Sequence, residues 1–173
     1  MATETIRPNS NITTSAWGEY NYTAIDEVVT DPTAGDGTVL TVGNSDESNE
    51  QQWGLQTPAG TTGNVTSVVI KVLARTNNTS DDFAAEITPK IRSNGVWYSA
   101  TSGSILTNDT TCSWYTFTIT NSMGAISTMS PAVAIFTDFV HKSCDFILEA
   151  IYVNVNYSAA SPSTYALGLL LDL

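Results

Sequence analysis

Basic residues are scarce in this sequence: six Lys and Arg stand against seventeen Asp and Glu, a formal net charge of -11 over 173 residues. Arg7, Lys71, Arg75, Lys90, Arg92 and Lys142 are scattered, so no basic cluster offsets the repulsion such a chain exerts on phosphate backbones. Nucleic acid is therefore not an expected partner. Charged residues of both signs make up only 13% of the chain, and Ser, Thr and Asn supply most of its polarity instead. Cysteine is nearly missing as well. Cys112 and Cys144 are too few for a disulfide scaffold. They form one bridge if their strands are neighbours, and otherwise remain two buried thiols, the preferred expectation for a reducing cytoplasm.

Long apolar runs are also lacking. The longest, "YALGLLL" near the C-terminus, falls far below the roughly 20 residues that span a bilayer, so no membrane is expected as a partner. The start, "MATETIRPNSN", has neither the basic beginning nor the apolar run of a secretory signal. Histidine occurs once, as His141 in "TDFVHKSCD". Asp138 and Asp145 lie near it in sequence, but no serine sits in a recognisable strained elbow, and an exposed turn residue is expected. Cys112, Cys144 and His141 lack the close paired spacing of a zinc site.

Carboxylates cluster in "IDEVVTDPTAGDG" (Asp26, Glu27, Asp31, Asp36) and in "NSDESNE" (Asp46, Glu47, Glu50). Neither matches the spaced calcium loop with its terminal Glu, and solvated loops are expected. A glycoside hydrolase would need one acid raised in pKa by an apolar pocket. Glu86 and Glu149 fall inside strands, and both are expected to face solvent. The chain therefore reads as no enzyme, with no cofactor and no resident metal.

What the sequence does contain is strand signal. β-branched and aromatic residues alternate with polar ones in short runs, separated by clusters of Gly, Asn, Asp and Ser. "SVVIKVLAR" sets Val68, Ile70, Val72 and Ala74 on one face against Val69, Lys71, Leu73 and Arg75 on the other. "FAAEITPKIR", "SNG" and "VWYSA" read as a hairpin, because Asn94-Gly95 accepts the positive φ angles of a tight turn. Pro89 cannot donate to a ladder, which predicts an edge strand or a bulge there. "SWYTFTIT" should turn Tyr115, Phe117 and Ile119 inward. In "CDFILEAIYVNVNY" the alternation slips near Glu149, which predicts a bulge or a passage between sheets.

"GTVLTVGN", "QQWGLQTP" and "AVAIFTDF" are further strands, and "STMSPA" reads as one helical turn with Pro131 early in it. About eight to ten short strands without a repeat predict an all-β fold, an antiparallel β-sandwich of jelly-roll type. One such domain fills residues 1–158, beginning with a short N-terminal arm. Residues 159–173 follow it as an apolar segment. This tail is either a last strand or, as preferred, an arm that docks on a neighbouring subunit through Tyr165, Leu167, Leu169, Leu170 and Leu171. Adjacent aromatics Trp97-Tyr98 and Trp114-Tyr115 must put one ring on each sheet face, which makes Trp97 and Trp114 candidates for stacking on a glycan.

The array "ETIRPNSNITTSAW", "YTAIDEVVTDP", "QQWGLQTPAGTTGNVTSVVIKVLAR", "EITPKIRSNGVWYSA" and "CDFILEAIYVNVNY" resembles phage and environmental viral structural proteins. In that family an RPN start, an xDE box, an SVxVxVxAR strand and a terminal VxVxVxY strand recur in this order. The resemblance runs from Ile6 to Tyr157 and departs after "TFTITNS", where the family pattern has Pro-Thr-Gly-x-x-Trp and this chain has "MGAISTM". It implies a non-enzymatic virion protein: a head decoration protein, head fibre or tail-associated subunit, assembled in a host cytoplasm. Its expected partners are copies of itself and other virion proteins such as capsid or tail. The alternative is a carbohydrate-binding or receptor-binding sandwich module.

Overall fold

The computed structural model describes residues 1–12, 25, 40–42, 49–60, 62–76, 84–101, 103–107, 110–139 and 146–158. Among them lie eleven strands: β1 (Ala2–Ile6), β2 (Pro8–Asn11), β3 (Leu40–Val42), β4 (Asn49–Leu55), β5 (Val65–Thr76), β6 (Ala84–Ser93), β7 (Val96–Ser99), β8 (Ser104–Thr107), β9 (Ser113–Ile119), β10 (Ala132–Phe139) and β11 (Phe146–Tyr157). A five-stranded sheet runs in the order β1-β11-β5-β9 with β3 also on β11. A six-stranded sheet runs β2-β4-β10-β6-β7 with β8 also on β6. All pairings are antiparallel. Successive strands alternate between the sheets at β4–β5–β6 and β9–β10–β11, the connectivity of a jelly-roll sandwich.

The core forms where period-2 patterns from both sheets meet. Val68, Ile70, Val72 and Ala74 of β5 are completely buried, as their alternation requires. Phe117 and Ile119 of β9 join them, with Tyr115 partly buried against the same cluster. From the opposite sheet come Trp53, Leu55, Ile87, Ile91, Val133 and Ile135. Each such side chain contributes about 1.5–3 kcal/mol by leaving water.

β11 slips register between Leu148 and Ala150, so Glu149 is the extra residue of a bulge, as the broken alternation predicted. On its other edge β11 is covered by β3 up to Leu148 and by β1 from Val153. In the gap between them, the Ile151 N–H donates to the Ile25 carbonyl at 3.1 Å, and the Ile25 side chain is buried in the core. The hairpin between β6 and β7 turns through Asn94 (φ 50) and Gly95 (φ 81), both left-handed as expected.

Four expectations need correction. Residues 2–11 do not project as an arm. They form β1 in one sheet and β2 in the other, crossing at Arg7. Pro89 is neither on an edge strand nor in a bulge, since β6 lies between β10 and β7. Its carbonyl accepts the Ala100 N–H at 3.1 Å, so its ring nitrogen faces the same side, between the stretches that β7 and β8 pair. The helical turn expected in "STMSPA" sits earlier, as a 3-10 turn over Ile126–Thr128, with Pro131 beyond it at the entry to β10. Glu149 does not face solvent; it is only 8% exposed.

Candidate functional site

Each sheet turns one face to the core and one outward, and the outward faces carry the side chains available for recognition. On the six-stranded sheet the inward set includes Trp53, Val133, Ile135, Ile87 and Ile91. The outward set is fixed by register. Gly54, Ala132, Arg92 and Trp97 stand in one row across β4, β10, β6 and β7; Gln52, Ala134, Lys90 and Ser99 stand in the next; Glu50, Phe136 and Thr88 follow. Tyr98 packs against the core, so its neighbour Trp97 points outward.

Small residues on the middle strand shape this face. Ala132 and Ala134 of β10 are completely buried beneath longer side chains, and Lys90 from β6 meets Glu50 from β4 across that strand, Nζ to Oε2 at 2.6 Å. The Gln52 amide donates to the other carboxylate oxygen at 2.8 Å. Lys90 Nζ also lies 6.0 Å from the Phe136 ring centroid. Burial acts to raise the Glu50 pKa, but the hydrogen bonds from Lys90 and Gln52, with the charge of Lys90, outweigh it and hold the carboxyl below its ordinary value. In the next row the Arg92 guanidinium sits over the Trp97 ring, 5.6 Å from its centroid.

The five-stranded sheet presents a different face. Thr3 and Thr5 of β1 donate to the side-chain oxygens of Asn156 and Asn154 at 2.7 Å each, and the Asn156 amide donates to the Ser67 hydroxyl at 3.0 Å. Trp114 and Tyr152 meet edge to face with centroids 5.0 Å apart, and Lys71 Nζ lies 5.4 Å from the Tyr152 centroid. Near the bulge, Arg75 Nε donates to Glu149 Oε1 at 3.0 Å. Burial, then the hydrogen bond and charge of Glu149, push the Cys112 thiol up to about 12.

Trp97 and Trp114, paired by sequence as stacking candidates, are thus on opposite outer faces of the sandwich and belong to no common site. Glu86 is half-buried, and Glu149 pairs with Arg75. Cys112 is a free thiol in this structure. Cys144, His141, Tyr165, Leu167, Leu169, Leu170 and Leu171 lie outside the described residues, as do the carboxylates of both acidic loops except Glu50. Among the described residues no group of three or more His, Cys, Asp and Glu is placed to hold a metal ion.

The sequence pointed to Glu50 only as part of an acidic loop, and it did not mark Gln52, Lys90, Arg92 or Phe136 as site residues. The alternation in "EITPKIR" already placed Lys90 and Arg92 on one face, but their cross-strand partners depend on a strand order that local pattern does not encode.

No protein-family model and no curated protein sequence matches the chain. Several solved structures show a distant similarity to the chain. The CBM36-1 domain of a multidomain xylanase from the hindgut metagenome of Trinervitermes trinervoides is 11% identical, with 92% of this chain and 100% of that one covered at a TM-score of 0.43. The xylan-binding module CBM15 is also 11% identical, with 90% and 94% covered at a TM-score of 0.40. A Family 16 carbohydrate-binding module is 15% identical, with 68% and 77% covered at a TM-score of 0.37.

Proposed function

We propose that this protein is a non-enzymatic binding module that holds a carbohydrate chain on the outer face of its six-stranded sheet. One observation carries the reading: Trp97, Arg92, Lys90, Glu50 and Gln52 from three strands converge in register over the small residues of β10. A sugar offers apolar C–H faces and hydroxyl groups together. An outward aromatic ring suits the first, while planar amide, carboxylate and guanidinium groups suit the second. Their mutual contacts restrain several of these side chains before a ligand arrives, which lowers the entropy cost of binding. Affinity electrophoresis of the protein in gels containing a panel of polysaccharides tests this. Retardation that Trp97→Ala abolishes and Trp114→Ala leaves intact supports the reading; mobility unaffected by every polysaccharide refutes it.

A second reading concerns where the module works, and the array from Ile6 to Tyr157 supports it. In this reading the protein is a subunit of a virus particle, as decoration, head fibre or tail-associated protein. It would assemble with itself and with capsid or tail proteins, using the segment 159–173 as a docking arm. Truncation before Tyr165 with particle binding measured by sedimentation tests it; a truncated protein that still assembles and binds overturns the role of the arm.

A further inference from the structure

We infer that the glycan held on the six-stranded sheet is acidic, and that Arg92 receives the carboxylate of a uronate residue. This rests on the carbohydrate-binding reading above and names the class of its ligand.

Carboxylates outnumber bases by seventeen to six in this chain, so a cation has abundant acid to pair with. Among the described residues Arg75 and Lys90 stand in ion pairs, with Glu149 and Glu50. Arg92 is not among them. Its guanidinium is held over Trp97 instead, on the face where Lys90, Glu50 and Gln52 already engage one another. A guanidinium carried by an aromatic ring keeps its N–H fork available, and that fork matches a planar carboxylate with two parallel hydrogen bonds.

Lys71 has a comparable place over Tyr152 on the opposite face, but an ammonium is a point charge without the planar fork. Exposed acids farther from Arg92 than about 8 Å are largely screened at roughly 0.15 M ionic strength, which weakens the opposition of the net charge of -11 to the contact. Beside Arg92, the outward Trp97 and Ser99 of β7 lie within reach of the same sugar ring or the next one.

Calorimetric titration of the whole chain with an oligogalacturonate, its methyl-esterified form and a neutral xylo-oligosaccharide, at about 0.15 M salt, tests the inference. The acidic oligomer should bind roughly tenfold or more tighter than its ester, the scale of a charge-assisted hydrogen bond. Arg92→Gln should erase that difference, and Arg92→Lys should restore only part of it. Unchanged thermal melting of both variants confirms that the fold is kept. Equal affinity for acid, ester and neutral chains, or a preference for acid that survives Arg92→Gln, overturns the inference while leaving carbohydrate binding in place. Failure of all three oligomers to bind the unaltered protein removes the inference and the carbohydrate reading for these chains together.

Discussion

Replacing Ala134 by leucine should dismantle the ion pair that organises the outer face without touching either charged residue. Ala134 is completely buried, and in the register it stands opposite both Gln52 on β4 and Lys90 on β6, with the Lys90–Glu50 contact of 2.6 Å bridging the strand that carries it. A larger side chain occupies the space through which Lys90 reaches Glu50. Overpacking of a filled site costs about 1–3 kcal/mol, and an outer face relaxes more readily than a core, so the lower half of that range applies. Both partners of the pair are about 30% exposed, so its loss adds no more than about 1 kcal/mol. The expected total is about 1–3 kcal/mol, read as a shift in the urea midpoint at unchanged slope. Lys90→Met alone should cost up to about 1 kcal/mol. In the double variant the two costs should fall short of their sum, because the first change has already broken the pair that the second removes. Strict additivity of the two would refute this account of the face.

Three further outcomes follow from the same structure. Glu50 has a depressed pKa in the folded state, so its contribution is present above the ordinary value of 4.5 and lost as pH falls through the folded value. Lys90→Met should therefore flatten the loss of stability on acidification, as measured by melting temperature from pH 6 to pH 3. Cys112 is raised from 9.0 to about 12, so its contribution is present below pH 9 and lost as pH climbs toward 12. In a Cys144→Ser background, Cys112 should react with iodoacetamide at pH 8 far more slowly than the same chain in urea, and equal rates would contradict the burial described. Gly63 has φ 111, and a Cβ there would clash with the Ser158 carbonyl oxygen, whereas Gly95 has φ 81 with open space around it. Gly63→Ala should cost more than about 2 kcal/mol and Gly95→Ala about 1 kcal/mol, checked by denaturant unfolding.

Elements with a strict pattern were readable from sequence. β5 keeps the alternation of one buried face from Val68 to Thr76, so Val68, Ile70, Val72 and Ala74 revealed both the strand and its core face, although Leu73 of the other face is buried as well. Two adjacent left-handed residues marked the β6–β7 turn, and one break in phase marked the bulge at Glu149. β1 and β2 were missed because "ATETI" and "PNSN" hold almost no apolar residues; as edge strands each is paired on one side only. The burial of Glu149 was missed because a bulge rotates its residue out of the regular alternation, and its partner Arg75 lies on another strand. Adjacency alone put one ring of each pair off the core face; Tyr98 and Tyr115 are the rings packed against the core, and which outer face Trp97 and Trp114 each serve depends on sheet membership. That information is held in long-range pairing and not in any local window.

On the proposed reading a glycan lies across β4, β10, β6 and β7 on their outer face. An NMR titration of isotope-labelled protein with a polysaccharide fragment that retards it in affinity gels tests this directly. The Trp97 indole signal and the Lys90 and Arg92 backbone amides should shift together at one affinity, with Trp114 and Tyr152 unmoved. Shifts confined to Trp114, Tyr152 and Lys71, on the face of the other sheet, would contradict it.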